Sequence, residues 1–173
     1  YHLVDQRSLL RVPEGITARE AALAEPLAVA LHGITRSGIE VGQRAMVFGA
    51  GPIGALVVAA LVARGIGPVT VVEPGPARQD LARALGADHV IHPDELEVYP
   101  MWEPERISPR AVDVVLECSG KKAAMEAGFH QLCRGGQLGL VGAGIEAPTF
   151  DPNRLLLSEL SVTGSFVYDH DGF

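Results

Sequence analysis

Two cysteines, Cys118 and Cys133, are all that the sequence holds. That excludes a disulfide scaffold and a four-cysteine zinc site, and it makes a reduced, cytoplasmic setting the simplest expectation. Positive charge is also short. There are 14 Lys and Arg against 21 Asp and Glu, a formal net charge of −7. Nucleic acids and anionic membrane surfaces attract a positive field, so neither is expected as a partner. Long apolar runs are missing; Ala55–Ala63 is the longest and covers only about half of a bilayer span. No signal peptide is visible, and the first residue is Tyr1 rather than Met, which suggests a piece of a longer protein. Repeats and low-complexity tracts are absent too. What remains is 173 residues, 47% hydrophobic and 20% charged. Such a chain fits one domain with a real core and is too apolar to be disordered.

Apolar β-branched runs alternate with helical patterns. Ala45–Phe48, Val69–Val72, His89–Ile91, Val112–Glu117, Leu138–Val141 and Ser161–Phe166 read as strands. Several are short and continuously apolar, as expected of a parallel sheet covered on both faces. Helices are predicted over Ile53–Arg64, Ala77–Leu85 and Lys121–Leu132, with a short one over Pro152–Ser158. Gly65 and Gly86 stop the first two, and Asp151 caps the last ahead of Pro152. Strand and helix in alternation imply right-handed βαβ units and a doubly wound six-stranded parallel α/β sheet.

The first 40 residues follow a different pattern. Tyr1–Val12 reads as a strand leading into a turn at Pro13-Glu14-Gly15. Thr17 and Glu20 form a capping box, after which a helical stretch reaches about Arg36, broken at Pro26. Residues 1–40 are therefore read as a linker and interdomain segment, and 41–173 as the nucleotide-binding domain. His92–Arg110 carries four prolines and no clean period, so an irregular loop is expected there, pinned to the body by Tyr99 and Trp102.

Gly49-Ala50-Gly51-Pro52-Ile53-Gly54 is a GxGxxG that leaves a strand and opens a helix. Gly49 permits the tight turn, Gly51 lets a pyrophosphate approach the backbone, and Gly54 lets helix and sheet pack closely. The free N–H groups and the dipole at the helix start favour an anion. Pro52 costs nothing there, because its missing donor has no intrahelical partner. Glu73 ends the second strand, nineteen residues after Gly54. A carboxylate in that place accepts from both ribose hydroxyls and repels a 2′-phosphate, which favours NAD over NADP. Arg78 pulls the other way, since a nearby arginine accommodates that phosphate. Plain structural roles compete with each reading: a strand-to-helix turn, a helix-start carboxylate and a surface cation.

The run Glu25-Pro26-Leu27-Ala28-Val29-Ala30-Leu31-His32-Gly33 and the glycine loop are joined by Ala84–Ile91, Leu116-Glu117-Cys118-Ser119-Gly120, Gly135-Gly136-Gln137-Leu138 and Val162–Phe166. Together they resemble the medium-chain dehydrogenase/reductases, within them the zinc-dependent alcohol and polyol dehydrogenases. The resemblance covers nearly the whole chain and departs clearly only in His92–Arg110.

The resemblance implies a Rossmann fold attached to a GroES-like catalytic domain that is absent from this chain. It places the Ile53 backbone on the pyrophosphate, with Glu73 and Arg78 at the adenosine ribose. Ser119 and Gly120 would flank the cofactor. Val141, Gly142 and Ala143 would lie along its nicotinamide half, and Ser165, Phe166 and Val167 would meet the carboxamide. Glu25 resembles a carboxylate given to the catalytic zinc, directly or through water, while the other ligands would come from the absent domain. Tyr168 keeps the tyrosine of an Arg-Tyr pair near the polyol substrate, but Val167 replaces the arginine, which puts a polyol in doubt. His32 reads as structural or interdomain, and Cys118 and Cys133 as core thiols.

The expected function is thus the cofactor-binding half of an NAD-linked, zinc-dependent enzyme acting on a small alcohol or ketone, inactive by itself. A homo-oligomer is expected through the edge of the last strand. The alternative is a non-catalytic NAD(P)-binding or redox-sensing module. A methyltransferase also uses a glycine loop after its first strand, but the further motif matches speak against it.

Overall fold

A computed structural model describes residues 3–97, 103 and 105–169. Its centre is one sheet of six strands: β1 (Ala45–Phe48), β2 (Val69–Val72), β3 (His89–Ile91), β4 (Val112–Glu117), β5 (Leu132–Leu140) and β6 (Ser161–Gly164). Their order is β3-β2-β1-β4-β5-β6, and every neighbouring pair is parallel. The winding therefore reverses between β1 and β4, which opens a crevice at the carboxyl ends of those strands.

Six helices accompany the sheet: α1 (Ala18–Ala21), α2 (Ala24–Arg36), α3 (Pro52–Ala63), α4 (Pro76–Ala84), α5 (Lys122–His130) and α6 (Pro152–Leu157). All four β1 residues are buried because both faces of the strand are covered. Ala45 and Val47 join Ile34 of α2 and Leu61 of α3 in one core. Met46 and Phe48 join Phe129 of α5 and Leu138 in the other. Each fully buried large side chain contributes about 1.5–3 kcal/mol. Two cores on one sheet hold its carboxyl edge steady, and that edge carries the site.

The expected doubly wound α/β sheet is present, and β1 to β4 have the expected bounds. Other boundaries differ for physical reasons. Described residues of Tyr1–Val12 form no strand. Gln6–Ser8 is a 3-10 turn instead, with Asp5 accepting from the Arg7 N–H at 2.9 Å. Leu3, Leu9 and Leu10 are exposed, and no neighbouring strand pairs with them. The following turn forms as expected, with Ile16 N–H donating to the Pro13 carbonyl at 3.3 Å. The Thr17–Glu20 capping box is also present. Pro26 does not break the helix. It is the third residue of α2, where a backbone N–H has no partner to lose, and the break falls before Ala24.

The expected helix to Leu132 stops at His130, because Leu132 already begins β5. That strand is longer than Leu138–Val141. It runs past Gly135 and Gly136 with a register shift against β4, and Gly135 takes φ +72°. The last strand ends at Gly164 rather than Phe166, and Val167 turns out of line with φ +56°. In the proline-rich stretch Pro93–Glu95 forms one short 3-10 turn. Tyr99 and Trp102 lie outside the described residues.

At the amino ends of the strands, Arg44 ties β1 to β4. Its backbone N–H donates to Asp113 at 2.8 Å, and its guanidinium adds contacts of 3.0 and 3.1 Å. That guanidinium holds the Asp113 carboxyl well below its ordinary range, at about 2. A depressed carboxyl stabilises the fold above its unfolded pKa, and the gain is lost as pH falls through the folded one. With allowance for solvent at half-exposed Arg44, Asp113→Asn is expected to cost about 1 kcal/mol at pH 7. The deficit should shrink between pH 4 and pH 2, as thermal unfolding at both ends of that range will read.

Candidate cofactor site

β1 delivers the chain to Gly49, whose φ of +87° makes the turn that a side chain would strain. Gly49 N–H donates to the Val72 carbonyl at 2.9 Å, fastening the loop to β2. A Cβ on Gly54 would run into the Gly49 carbonyl oxygen, whereas one on Gly51 would meet only open space. The glycines thus divide as the motif requires: Gly54 is closed against the loop and Gly51 is open to a ligand. No side chain caps α3 at Gly51, and Pro52 sits at its first position. The N–H groups at its start are thus left without a side-chain cap, as an anion site requires.

A cleft of about 670 Å³ occupies this crevice. Gly49, Gly51, Pro52, Glu73, Arg78 and Ser119 line it, six of the residues singled out in the sequence. Phe48, Val72 and Leu96 supply an apolar wall, and Lys121 stands on the rim. Ile53 and Gly54 lie in the helix just behind.

Glu73 is almost completely buried. One carboxylate oxygen accepts from Ala50 N–H at 2.8 Å and the other from Gly75 N–H at 2.9 Å. The glycine loop is therefore clamped to the end of β2 by the residue expected to read the ribose. Each oxygen keeps a further lone pair, so the clamp leaves acceptor capacity. Arg78 Nη1 lies 3.9 Å from Glu73 and is mostly exposed.

The remaining candidates form a second group at the ends of β4, β5 and β6, away from the cleft lining. Gly120 and Gly142 lie backbone to backbone: a Cβ on Gly120 would strike Ala143 O, and one on Gly142 would strike Gly120 N. Val141 packs against Gly33 of α2, within 2.9 Å of where a Cβ there would sit. Ser165 Oγ lies near the same point, buried and without a hydrogen-bond partner, as a group awaiting a ligand would be. Phe166 is 88% exposed, Val167 holds its left-handed turn, and Tyr168 is half-buried. His32 Nδ1 lies 3.5 Å from Asp169 Oδ2, joining α2 to the chain after β6.

One important residue escaped the reading of single positions. Glu117 is wholly buried at the end of β4, and its carboxylate gathers the donors of Ser119 and Gly120. An acid closing the apolar run Val114–Leu116, with a hydroxyl two residues later, is the signal that could have found it. Cys118 beside it and Cys133 are both part-buried free thiols. Burial pushes both upward, and the Glu117 charge adds to it at Cys118, so neither is set up as a thiolate.

Glu25 is exposed on the first turn of α2. Among the described residues no three His, Cys, Asp or Glu come together as a metal site. A lone carboxylate does not hold zinc, so the described residues of this chain do not by themselves fit that metal. They do fit a dinucleotide: an open glycine and an uncapped helix start lie at the cleft, and an orphaned buried hydroxyl follows β6.

Fold and cleft are those of a dinucleotide-binding domain. The chain belongs to the zinc-binding dehydrogenases, whose family model matches residues 52–173. Sorbitol dehydrogenase of Macaca fascicularis is 35% identical over 165 residues, 91% of this chain and 44% of its own length. The chain thus spans about half the length of the curated relatives it matches. Among solved structures, 2R,3R-butanediol dehydrogenase from Bacillus subtilis superposes with a TM-score of 0.84 at 32% identity, over 98% of this chain and 48% of that one. A zinc-binding dehydrogenase from Sinorhizobium meliloti bound to NADP gives 0.83 at 29% identity, covering 93% and 48%. Acetophenone reductase from Geotrichum candidum in complex with NAD gives 0.83 at 25%, covering 96% and 46%. No helix among the described residues is long and apolar enough to cross a membrane.

Proposed function

We propose that this chain supplies the cofactor half of an NAD-linked dehydrogenase that interconverts a small alcohol and its ketone. The observation that carries the reading is the cleft between β1 and β4, with Gly51 open to it and Glu73 at its floor. When bound there, the nicotinamide cofactor would accept or deliver a hydride. The chain's own residues bind and orient it. The first turn of α3 would receive the pyrophosphate, Glu73 the ribose hydroxyls, and the 141–143 turn the nicotinamide half. Ser165, Phe166 and Val167 would meet the carboxamide, with Tyr168 towards the substrate. Residues 41–173 carry the strands of this unit, and α2 packs into its core through Ala30 and Ile34. Residues 1–40 lead to it, and their exposed Leu3, Leu9 and Leu10 offer apolar surface to a neighbouring domain. Glu25 would add one ligand to a zinc held mainly by that domain. β6, at the free edge of the sheet, would pair two copies.

NAD is favoured over NADP because Glu73 sits where a 2′-phosphate would have to go, and Arg78 faces solvent more than the cleft floor. Glu73→Ser removes the repulsion and leaves Arg78 in place. The ratio of NAD to NADP affinity should then fall at least about tenfold, since charge repulsion at close range is worth 1.4 kcal/mol or more. Calorimetry with both dinucleotides reads that ratio; tighter NADP binding by the unsubstituted chain would contradict the preference.

A further inference from the structure

Glu117 does more than end a strand. Its Oε1 accepts from Ser119 N–H at 2.7 Å, from the Ser119 hydroxyl and from Gly120 N–H at 3.1 Å; Oε2 shares that last donor, also at 3.1 Å. Its main-chain carbonyl accepts from Val141 N–H at 2.9 Å and Gly142 N–H at 2.8 Å. One residue thus holds the turn after β4 with its side chain and the turn after β5 with its backbone. Those two turns touch through the backbones of Gly120, Gly142 and Gly144, where no Cβ would fit. The Ser119 hydroxyl spends its proton on Glu117 and accepts from Lys121 N–H at 3.2 Å, so it is locked as well.

Ser119 and Gly120 both donate to this carboxylate, as groups around a charged acid do. Such a charge inside a water-excluded wall acts over a longer range than one on the surface. The oxidised nicotinamide ring carries a positive charge and the reduced ring does not. A fixed anion behind the turns therefore attracts one form only.

We propose that Glu117 is a positioning residue for the nicotinamide half of the cofactor, and that its buried charge weights binding towards the oxidised form. This rests on the reading of the crevice as a cofactor site. The acid shapes the two turns against which the ring lies, and it adds an attraction that disappears on reduction. A residue that merely held the turns would change the affinities for both forms by the same factor.

The test is calorimetric titration of the 173-residue chain with NAD⁺ and NADH, for the parent and two variants, with melting curves alongside. Glu117→Gln is nearly isosteric and uncharged. It should weaken NAD⁺ binding about tenfold and NADH binding about threefold, a shift of the ratio of about threefold. Glu117→Asp keeps the charge and shortens the reach, so both forms should weaken by a common factor of threefold or more. Equal losses for the two forms in the Gln variant overturn the charge effect. If that variant fails to fold, unchanged affinities in the Asp variant still overturn the positioning role. A parent chain that binds neither form overturns this proposal together with the function it rests on.

Discussion

Gly54→Ala is expected to abolish cofactor binding while leaving the sheet folded. The single added carbon would overlap the Gly49 carbonyl oxygen. That oxygen cannot step aside at low cost. Gly49 is already in a left-handed turn, and any side chain there would meet Ser119 Cβ at 3.0 Å. Relief must come from moving the start of α3 away from the loop, which turns its N–H groups out of line with the pyrophosphate. Loss of that alignment should weaken binding at least about 100-fold, near 3 kcal/mol. Calorimetry reads the affinity, and circular dichroism shows whether the sheet survives. Binding within threefold of the parent would mean that the loop does not hold the phosphates.

Arg154→Met is expected to be the most damaging change for stability. Arg154 lies on α6 and is 1% exposed, a cation taken almost wholly out of water. Its Nη1 donates to Arg106 O at 2.6 Å, and its Nη2 to His130 O at 3.0 Å and Leu132 O at 3.3 Å. It therefore joins the proline-rich loop, the last residue of α5 and the first of β5. The positive charge also suits the carbonyl end of α5. Methionine matches the bulk but leaves three carbonyls without this donor, and buried acceptors cost about 1–3 kcal/mol each when abandoned. A loss of about 3–5 kcal/mol is expected, a drop in melting temperature on the order of 10 °C for a chain of this size. Neither Arg154 nor its three acceptors lines the cofactor cleft, so NAD affinity measured well below the transition should change little. A drop under 2 °C would show that water or neighbouring groups replace the guanidinium easily.

The parts of this fold legible in the sequence were those fixed by local spacing. Val69–Val72 and Val114–Leu116 are short runs of mainly apolar residues, as a strand covered on both faces requires. The glycine loop was legible because each glycine answers a separate steric demand, and the structure meets those demands at Gly49 and Gly54. Tyr1–Val12 misled because an apolar segment ahead of a turn makes a strand only if another strand lies alongside, and the described part has none. The apolar run of the fifth strand begins only at Leu138, yet β5 starts at Leu132 and passes through Gly135-Gly136, because the register shift against β4 absorbs the extra residues. Pro26 looked like a break until its distance from the helix start was known.

The site was legible by halves. Spacing pointed to Glu73, Arg78 and the loop, and these line one cleft. It could not show that Glu73 also clamps the loop through Ala50, since that bond spans twenty-three residues. Nothing in the sequence singles out Arg154, because its three acceptors come from distant segments. Glu117 was hidden for another reason: it reads as the end of a strand, and nothing in the spacing shows its carboxylate turning back onto Ser119 and Gly120.

The most direct test of the account is calorimetric titration of the chain with NAD⁺. The cleft and the open face of Gly51 predict one site per chain, with no turnover of alcohol by the chain alone. Saturable one-to-one binding that Gly54→Ala removes would bear this out. A flat titration of correctly folded chain would contradict it.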